Sequence, residues 1–246
     1  MTDIILIRSI DRTSSSTNSS NFQINLTDKV EGLYEVLYVV MYNSFYNVVA
    51  NVNDTIYFNE NSTNKSCTIS PGYYSTSGSN SILTALASAM TTASGGYNTY
   101  TATIGAANQL ITVAAGNNFS FTFGTNTSRS LAQTLGFTNT NTTAATSSTA
   151  VNLPNLGGIN SVAIYIPQST ATNFECSSGS FGNVLVPMDV AFENRKFYIE
   201  YDFKQKVLFA KNCQTINIIL RDTSGNNVSL NNTEWEMAIR KCKREY

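Results

Sequence analysis

The sequence predicts an all-β protein: a single jelly-roll sandwich of about eight antiparallel strands with a small inserted α+β subdomain. Apolar and polar residues alternate along most of the chain, which is the period of strands with one buried face. Helical patterns do not alternate with these strands, so a parallel sheet with crossover helices is not indicated. Residues 72–149 break the alternation and contain two helical patterns, which indicates a separate subdomain.

The two ends of the chain differ from its middle. Residues 1–20 begin with a short apolar run, "DIILIRSI", and continue into a stretch rich in Ser and Thr, which predicts an N-terminal arm with a flexible link. We expect this arm to reach a neighbouring subunit. Residues 241–246 form a basic C-terminal tail. The tail is interpreted as a solvated end, or as an anchor to a neighbouring subunit or to packaged nucleic acid.

A strand at residues 32–42, "GLYEVLYVVMY", is apolar on both faces, with its three tyrosines on one of them. A strand of this kind is covered on both sides. Our hypothesis is that a neighbouring subunit covers its outer side. The segment "YNSFYN", which follows, adds further aromatic residues. The candidate subunit interface therefore consists of Tyr34, Tyr38, Tyr42, Phe45 and Tyr46.

The sandwich is predicted from two stretches, residues 21–71 and 150–240. The first contains "NFQINLT", the two-faced strand and the shorter patterns "DTIYFNE" and "SCTIS". The second contains "SVAIYIP", "NVLVPMDV", "FYIEYDF", "TINIILRD" and "EWEMAIR". About eight strands with varied connections favour a jelly roll. An immunoglobulin-type sandwich fits less well because the Cys…Trp…Cys pattern is missing.

The inserted subdomain, residues 72–149, begins with a Gly-Tyr turn and a helical pattern, "SILTALASAM", which a Gly-Gly pair ends. A hairpin, the strand "FSFTFG", a second helical run, "SRSLAQTLGF", and an uncharged linker follow. Structured insertions of this size commonly project from a scaffold and carry contacts. The alternative is that the subdomain caps one end of the sandwich. Its candidate outward contact residues are Tyr73, Tyr74 and Tyr97.

The sequence offers little for catalysis. It contains no histidine, which removes Ser-His-Asp and Cys-His arrangements and the commonest metal ligand. It has neither a GxxxxGK[ST] phosphate loop nor a GxGxxG turn. The acidic residues are scattered, and Asp189, Glu200 and Asp202 fall where solvent-facing strand residues lie. We therefore predict that the protein is not an enzyme and has no catalytic, cofactor-binding or metal-binding residue.

Charge and cysteine usage limit the partners and the compartment. Only 13% of residues are charged, against roughly 25% in globular domains. The formal net charge of −1 gives no electrostatic reason to expect nucleic acid as the main partner. Four cysteines without a CxxC pair indicate free thiols in a reducing cytoplasm. We expect no membrane span and no signal peptide, because neither pattern is found.

The motifs of the inserted subdomain and of the last strands point to a family. The module "ISPGYYS…ILTALASAM…NQLITV…FSFTFG…LAQTLGF" and the closing "IILRDTSGNNVSLNNTEWEMAIR" resemble the penton and minor capsid proteins of virophages, Polinton-like elements and related large DNA viruses. The resemblance covers most of the chain, from about Asn21 to Arg240. Its most specific part is the Gly-Tyr turn, helix, hairpin and "LGF" ending, followed by an "L-x-D-x-x-G" turn before a Trp-containing strand.

The resemblance implies a structural virion protein with a single jelly roll. It implies a penton that closes icosahedral vertices as a homopentamer, contacts the major capsid proteins around it and carries an outward-facing insertion. Assembly in the host cytoplasm belongs to this expectation, and nucleic acid is expected to be contacted only weakly, through the basic tail. Two alternatives stay open. One is a lectin-like host-attachment module that binds a host surface or glycan, and the other is a minor capsid protein of the same fold between hexagonal capsomers.

Overall fold

The computed structural model divides the chain into two compact units. The jelly-roll unit comprises Met1–Phe45 and Ile159–Tyr246, and the inserted unit comprises Tyr46–Gly158. The residues that the structure describes are 4–16, 18–170, 174–176, 179–189, 191–192, 194–198 and 205–242. In chain order their elements are β1 (Ile4–Arg8), a 3-10 turn (Ser9–Asp11), β2 (Asn21–Tyr42), β3 (Thr55–Glu60), β4 (Thr63–Thr68), α1 (Ile82–Ser94), β5 (Thr101–Ile104), β6 (Ile111–Phe121), β7 (Ala145–Thr149), β8 (Ser161–Tyr165), β9 (Phe174–Cys176), β10 (Gly179–Gly182), β11 (Val184–Pro187), β12 (Arg195–Tyr198), β13 (Lys206–Arg221) and β14 (Glu236–Lys241).

The jelly-roll unit is built on one antiparallel sheet with the strand order β1-β14-β2-β13-β8-β11. Strand β2 has 22 residues, so β13 and β12 pair with successive parts of one of its edges while β14 pairs with the other edge. Strands β9 and β10 form a separate two-stranded ribbon. The main sheet encloses an apolar core that includes Phe22, Ile24, Met41, Val162, Ile164, Phe209, Ile216, Ile218, Trp235 and Met237. The predicted all-β, jelly-roll fold class is confirmed.

Strand β2 changes the face that it turns toward the core. Tyr34 and Val36 point into the core. Farther along the strand it is Val39, at an odd-numbered position, that points into the core. The register with β14 shifts between these points, so that Leu37 has no direct partner between the paired residues Val36 and Tyr38. One extra residue in a strand exchanges the two faces for every residue beyond it. Tyr34 and Tyr38 therefore lie on opposite faces, and the prediction that they share one face is wrong.

The described part of residues 1–20 is not a free arm. Strand β1 pairs with β14 over its whole length, and Ile7 is fully buried. Farther along, the backbone N–H of Thr13 donates to the carbonyl of Gln23 at 2.7 Å, and Ser16 Oγ accepts from the N–H of Gln23 at 2.9 Å. The prediction of an arm with a flexible link is wrong here, because the Ser and Thr residues that resemble a linker bond to the neighbouring strand.

The inserted unit combines a five-stranded antiparallel sheet with α1. The strand order is β4-β3-β6-β5, and β7 pairs with β6. The helix begins after Ser81, whose hydroxyl accepts the N–H of Leu83, and ends at Gly95 in the left-handed conformation, with φ +65°. The predicted α+β character and the first helix are confirmed. The side of the helix that is buried consists of Ile82, Leu86, Met90 and Ser94.

Two predicted features of the insertion are wrong. Residues 128–137 form turns instead of a helix, although Leu131, Leu135 and Phe137 join the apolar core of the unit. Strands β3 and β4, predicted in the sandwich, pair with each other, and β3 pairs with β6. The limits of the insertion are therefore 46 and 158 rather than 72 and 149. Strand patterns are alike in both units, so periodicity alone does not assign these two strands.

Candidate interaction surfaces

Two of the five residues predicted for a subunit interface lie in the core. Tyr34 is 2% exposed and packs edge-to-face against Phe209, with ring centroids 5.7 Å apart. Phe45 is also 2% exposed. Both belong to the apolar core of the jelly-roll unit, so their assignment to an interface is wrong. Their apolar rings stabilise the fold instead.

Three aromatic residues of the jelly-roll unit, Tyr38, Tyr42 and Phe197, form what we call the aromatic patch. The rings of Tyr38 and Phe197 stack with centroids 5.6 Å apart and an interplanar angle of 26°. Phe197 is 57% exposed and Tyr42 is 41% exposed. The patch lies on the outer face of the sheet, because Phe197 pairs directly opposite Val40, which alternates with the core residue Val39. Exposed aromatic surface of this kind is typical of protein interfaces.

Phe197 is not among the residues that the sequence predicts for this surface. In "FYIEYDF" aromatic residues occur at both alternating positions, so the pattern does not say which side faces inward. Tyr198 packs against the core, and Phe197 therefore points outward. The remaining residues of this predicted strand, including Glu200 and Asp202, lie outside the described residues.

The polar end of Tyr38 is partly buried and lies near the carboxylate of Glu236. Burial raises the pKa of the Tyr38 hydroxyl, and the charge of Glu236 and a hydrogen bond to it raise this pKa further. The phenol therefore stays protonated at neutral pH. Tyr38 can therefore present an uncharged ring and hydroxyl to a partner.

The tyrosines predicted as contacts in the inserted unit differ in exposure. Tyr74 is fixed in place, since its hydroxyl donates to a backbone carbonyl four residues earlier at 2.8 Å and its N–H donates to Asn47 Oδ1 at 2.9 Å. Tyr73 is half-buried. Tyr97 is 41% exposed, and Tyr46 is 36% exposed. Tyr97 is therefore the most accessible of the three predicted outward contacts.

The inserted unit carries almost no charge. It contains four Asp, Glu, Lys or Arg residues: Asp54, Glu60, Lys65 and Arg129. They form two ion pairs, Lys65–Glu60 and Arg129–Asp54, at 3.0 and 2.7 Å. The structure describes this unit throughout, so its surface consists of hydroxyl, amide and apolar groups with no unpaired side-chain charge. The inserted unit therefore exerts no net electrostatic attraction on a charged partner.

Glu60 is a buried carboxylate that ties three elements together. Its Oε2 accepts from Asn98 Nδ2 at 2.9 Å and from the hydroxyl of Tyr100 at 2.8 Å. Lys65 Nζ lies 3.0 Å from Oε1 and also donates to the carbonyl of Ser94, at the end of α1, at 2.7 Å. Burial raises the pKa of Glu60, but these hydrogen bonds outweigh burial and hold the pKa below its usual value.

A shallow groove of about 460 Å³ lies between α1 and β5. None of its lining residues is charged, and five of them carry a hydroxyl on a short side chain. Such a groove can offer hydrogen bonds to a neutral, hydroxyl-rich ligand. The lining consists of Leu83, Thr84, Ala87, Ser88, Thr91, Thr92, Tyr100, Thr101 and Ala102.

The described residues contain no group of three or more His, Cys, Asp or Glu side chains that could hold a metal ion. None of the helical segments in these ranges has the length and apolar character that crossing a membrane requires. Cys67, Cys213 and Cys242 are free thiols. Of the predicted basic tail, only residues 241 and 242 are described.

The curled antiparallel sheet and the α+β insertion define a jelly-roll protein with an inserted unit. Among solved structures, the chain is similar to the crystal structure of a selenomethionine-labelled mavirus penton protein, with a TM-score of 0.49 and 10% sequence identity. The similarity covers 96% of this chain and 98% of the mavirus chain. No protein-family model and no curated protein matches the sequence.

Proposed function

We propose that this chain is a structural virion protein, the penton that closes the icosahedral vertices of a capsid. In this proposal five copies form a ring that contacts the surrounding major capsid proteins, and the inserted unit faces outward. The chain assembles in the host cytoplasm and resides in the virion. The sequence motifs shared with penton and minor capsid proteins support this assignment.

The aromatic patch is the observation that carries the proposal. Burying apolar surface stabilises an assembly by about 25 cal/mol per Å², and aromatic residues are enriched where subunits meet. Tyr38 and Phe197 are already ordered by their mutual stacking, so little side-chain freedom is lost when a second subunit covers them. Tyr46, predicted for the same interface, is also accessible.

The test is the mass of the purified full chain, measured by light scattering over a concentration series, with negative-stain images of the same sample. Five-membered rings are the expected result. A stable dimer or trimer as the largest species contradicts the vertex role and favours the minor capsid protein between hexagonal capsomers.

The uncharged surface of the inserted unit favours a second function, attachment of the virion to a host surface or glycan. A neutral glycan is recognised through hydroxyl and amide hydrogen bonds and through stacking on an exposed aromatic ring. The groove between α1 and β5 offers the former, and Tyr97 offers the latter. Binding of the full chain to an array of neutral and sialylated glycans tests this function, and binding restricted to the sialylated members contradicts it.

A further inference from the structure

Lys65, Glu60 and Asn98 form a polar group inside the inserted unit, beside the last residues of α1. The carboxylate of Glu60 lies between an amine and an amide, because Oε1 is 3.0 Å from Lys65 Nζ and Oε2 accepts from Asn98 Nδ2 at 2.9 Å. The Glu60 side chain is fully buried, and Asn98 is 3% exposed. A purely structural ion pair needs only the acid and the base. The added amide completes a reactive set of nucleophile, proton carrier and acyl group.

Aromatic side chains line this group. Tyr100 packs edge-to-face against Phe58 and Phe119, with ring centroids 5.7 and 5.1 Å apart. In the sheet, Phe58 pairs with Lys65, and Phe119 pairs with Glu60. Apolar surroundings disfavour charged groups relative to neutral ones. They therefore reduce the cost of moving a proton from the ammonium to the carboxylate.

The amine of Lys65 is held in one orientation. Nζ donates to the carbonyl of Ser94 at 2.7 Å and to that of Ala93 at 3.2 Å, which leaves its third N–H for Glu60 Oε1. This oxygen is buried and accepts no other hydrogen bond. Loss of the third proton to Oε1 leaves the lone pair of Nζ facing the carboxylate, whose other oxygen holds the Asn98 amide.

The amide of Asn98 is fixed and polarised. Its Oδ1 accepts from the backbone N–H of Asn117 at 2.8 Å, and this donor stabilises the negative charge that develops on the oxygen when the amide carbon is attacked. The backbone N–H of Asn98 donates to Ser94 Oγ at 2.7 Å. Asn98 and Lys65 thus share both Ser94 and Glu60 as partners. Such positioning replaces a chance encounter between the two reacting groups.

We propose that Lys65 and Asn98 join in an intramolecular amide bond with release of ammonia. Nζ attacks Asn98 Cγ, and the bond between Cγ and Nδ2 breaks. Glu60 takes up two protons from Nζ in turn, hands the first to the departing Nδ2 and keeps the second as a neutral carboxylic acid. The last proton of Nζ becomes the N–H of the new amide. The charges of Lys65 and Glu60 disappear together, and no oxidant or further reactant is needed.

The amide closes a covalent loop that runs from β4 through α1 to the segment before β5. A cross-link stabilises a protein mainly by restricting its unfolded state. An amide also resists the reductants that open disulfides in a reducing cytoplasm. The link involves only residues of the inserted unit, so it does not depend on the penton role.

The intact mass of the purified full chain tests the link. Folded wild type should be lighter than its sequence by one molecule of ammonia. Lys65 is the only lysine or arginine between Lys29 and Arg129, and trypsin does not cleave after an acylated lysine. Trypsin should therefore release one peptide, Val30 to Arg129, that lacks one ammonia, and its fragmentation should place the link at Asn98. Full mass together with cleavage after Lys65 overturns the proposal. Loss of ammonia with normal cleavage after Lys65 overturns it as well, because the ammonia then comes from another amide.

Two variants test the roles of the amine and the carboxylate. Lys65→Arg is the matched control, because a guanidinium keeps the positive charge beside Glu60 but does not attack an amide. It should keep its full mass and fold like wild type, as judged by near-UV circular dichroism. Glu60→Gln retains the amine and the amide and should form the link about a hundredfold more slowly, as expected when a positioned acid–base group is lost. Loss of ammonia at the wild-type rate in either variant contradicts the proposed reaction.

Discussion

Arg129 holds Asp54 with two hydrogen bonds, in which Nε donates to Oδ1 at 2.8 Å and Nη2 donates to Oδ2 at 2.7 Å. The carboxylate also accepts from the N–H of Asn51 at 2.9 Å and from the hydroxyl of Thr55 at 3.0 Å. The hydrogen bond from Arg129 is the main reason that the pKa of Asp54 lies well below its usual value. The pair joins two loops of the inserted unit at residues 75 positions apart.

Asp54→Asn should lower the free energy of unfolding of the inserted unit by about 1–2 kcal/mol, the range for a charge-assisted bond at a partly exposed site. The sole tryptophan, Trp235, is buried in the jelly-roll unit. Its fluorescence should therefore report an unchanged transition, while far-UV circular dichroism reports the earlier unfolding of the inserted unit. A shift of the tryptophan transition alone contradicts this prediction.

The effect of Asp54→Asn should depend on pH. A carboxyl whose pKa is lowered on folding stabilises the folded state fully above its unfolded value of about 3.9. That stabilisation is lost as the pH falls through the lowered folded value. The difference between wild type and Asp54→Asn should therefore be constant near neutral pH and shrink in acid. A difference that grows on acidification is the contrary result.

Glu60→Gln should destabilise the inserted unit by about 1–3 kcal/mol, because it leaves the ammonium of Lys65 without its carboxylate. Lys65→Met should also destabilise it, since a buried carboxylate then loses its counter-charge. Urea unfolding of both variants and of the double variant checks the pair through a double-mutant cycle. The double variant should be more stable than the sum of the two losses predicts, and strict additivity argues against a coupled pair.

Tyr38→Lys should prevent ring formation and leave a folded monomer, because it places a charge in the aromatic patch without touching the core. Phe197→Lys should act in the same way at a site that is 57% exposed. Light scattering gives the oligomeric state, and near-UV circular dichroism verifies the fold. Val52→Lys is the control for added charge. Rings of normal mass from either patch variant remove the patch from the proposed interface.

Any glycan binding by the inserted unit should be insensitive to ionic strength. Salt screens interactions between charges, and the four charged residues of this unit are already paired with one another. Tyr97→Ala should weaken such binding, while Tyr46→Ala serves as the control at a similarly exposed ring. Titration of each variant with the bound glycan, at low and at high salt, gives the affinities to be compared. A marked loss of affinity in high salt assigns the binding to another, charged surface.

Cys67 should not react with thiol reagents in the folded chain at neutral pH. Burial raises the pKa of its thiol to about 12, so the reactive thiolate is scarce. Wild type and Cys67→Ser should therefore show the same number of fast-reacting thiols. In denaturant the wild type should show one more. The prediction is contradicted if Cys67→Ser shows one fast-reacting thiol fewer than wild type under native conditions.

Periodicity predicted much of the fold. It located β8, β14 and parts of β2, β6 and β13, because apolar residues recur there at every second position. It located α1 because its apolar spacing is flanked by a serine cap and a glycine stop. These signals are local, and tertiary contacts reinforce them.

The errors have non-local causes. The face exchange near Leu37 depends on how β14 aligns with β2, and no pattern within β2 shows it. A regular period of two therefore predicts that Tyr34 and Tyr38 share one face. Phe45 follows a strand end, which favours the surface, but its ring folds back into the core. Strand β3 has the same alternation as a sandwich strand, and only its pairing with β6 assigns it to the inserted unit.

The pairing of β1 with β14 has a consequence for the order of folding during synthesis. The backbone N–H of Trp235 donates to Ser9 Oγ across 226 positions of the sequence. The jelly-roll unit therefore cannot close until its last strand has left the ribosome. The inserted unit is continuous from Tyr46 to Gly158 and is complete much earlier. Since domains fold as units while the chain emerges, the inserted unit folds first. Strands β1 and β2 stay without their later partner strands until those strands have been synthesised.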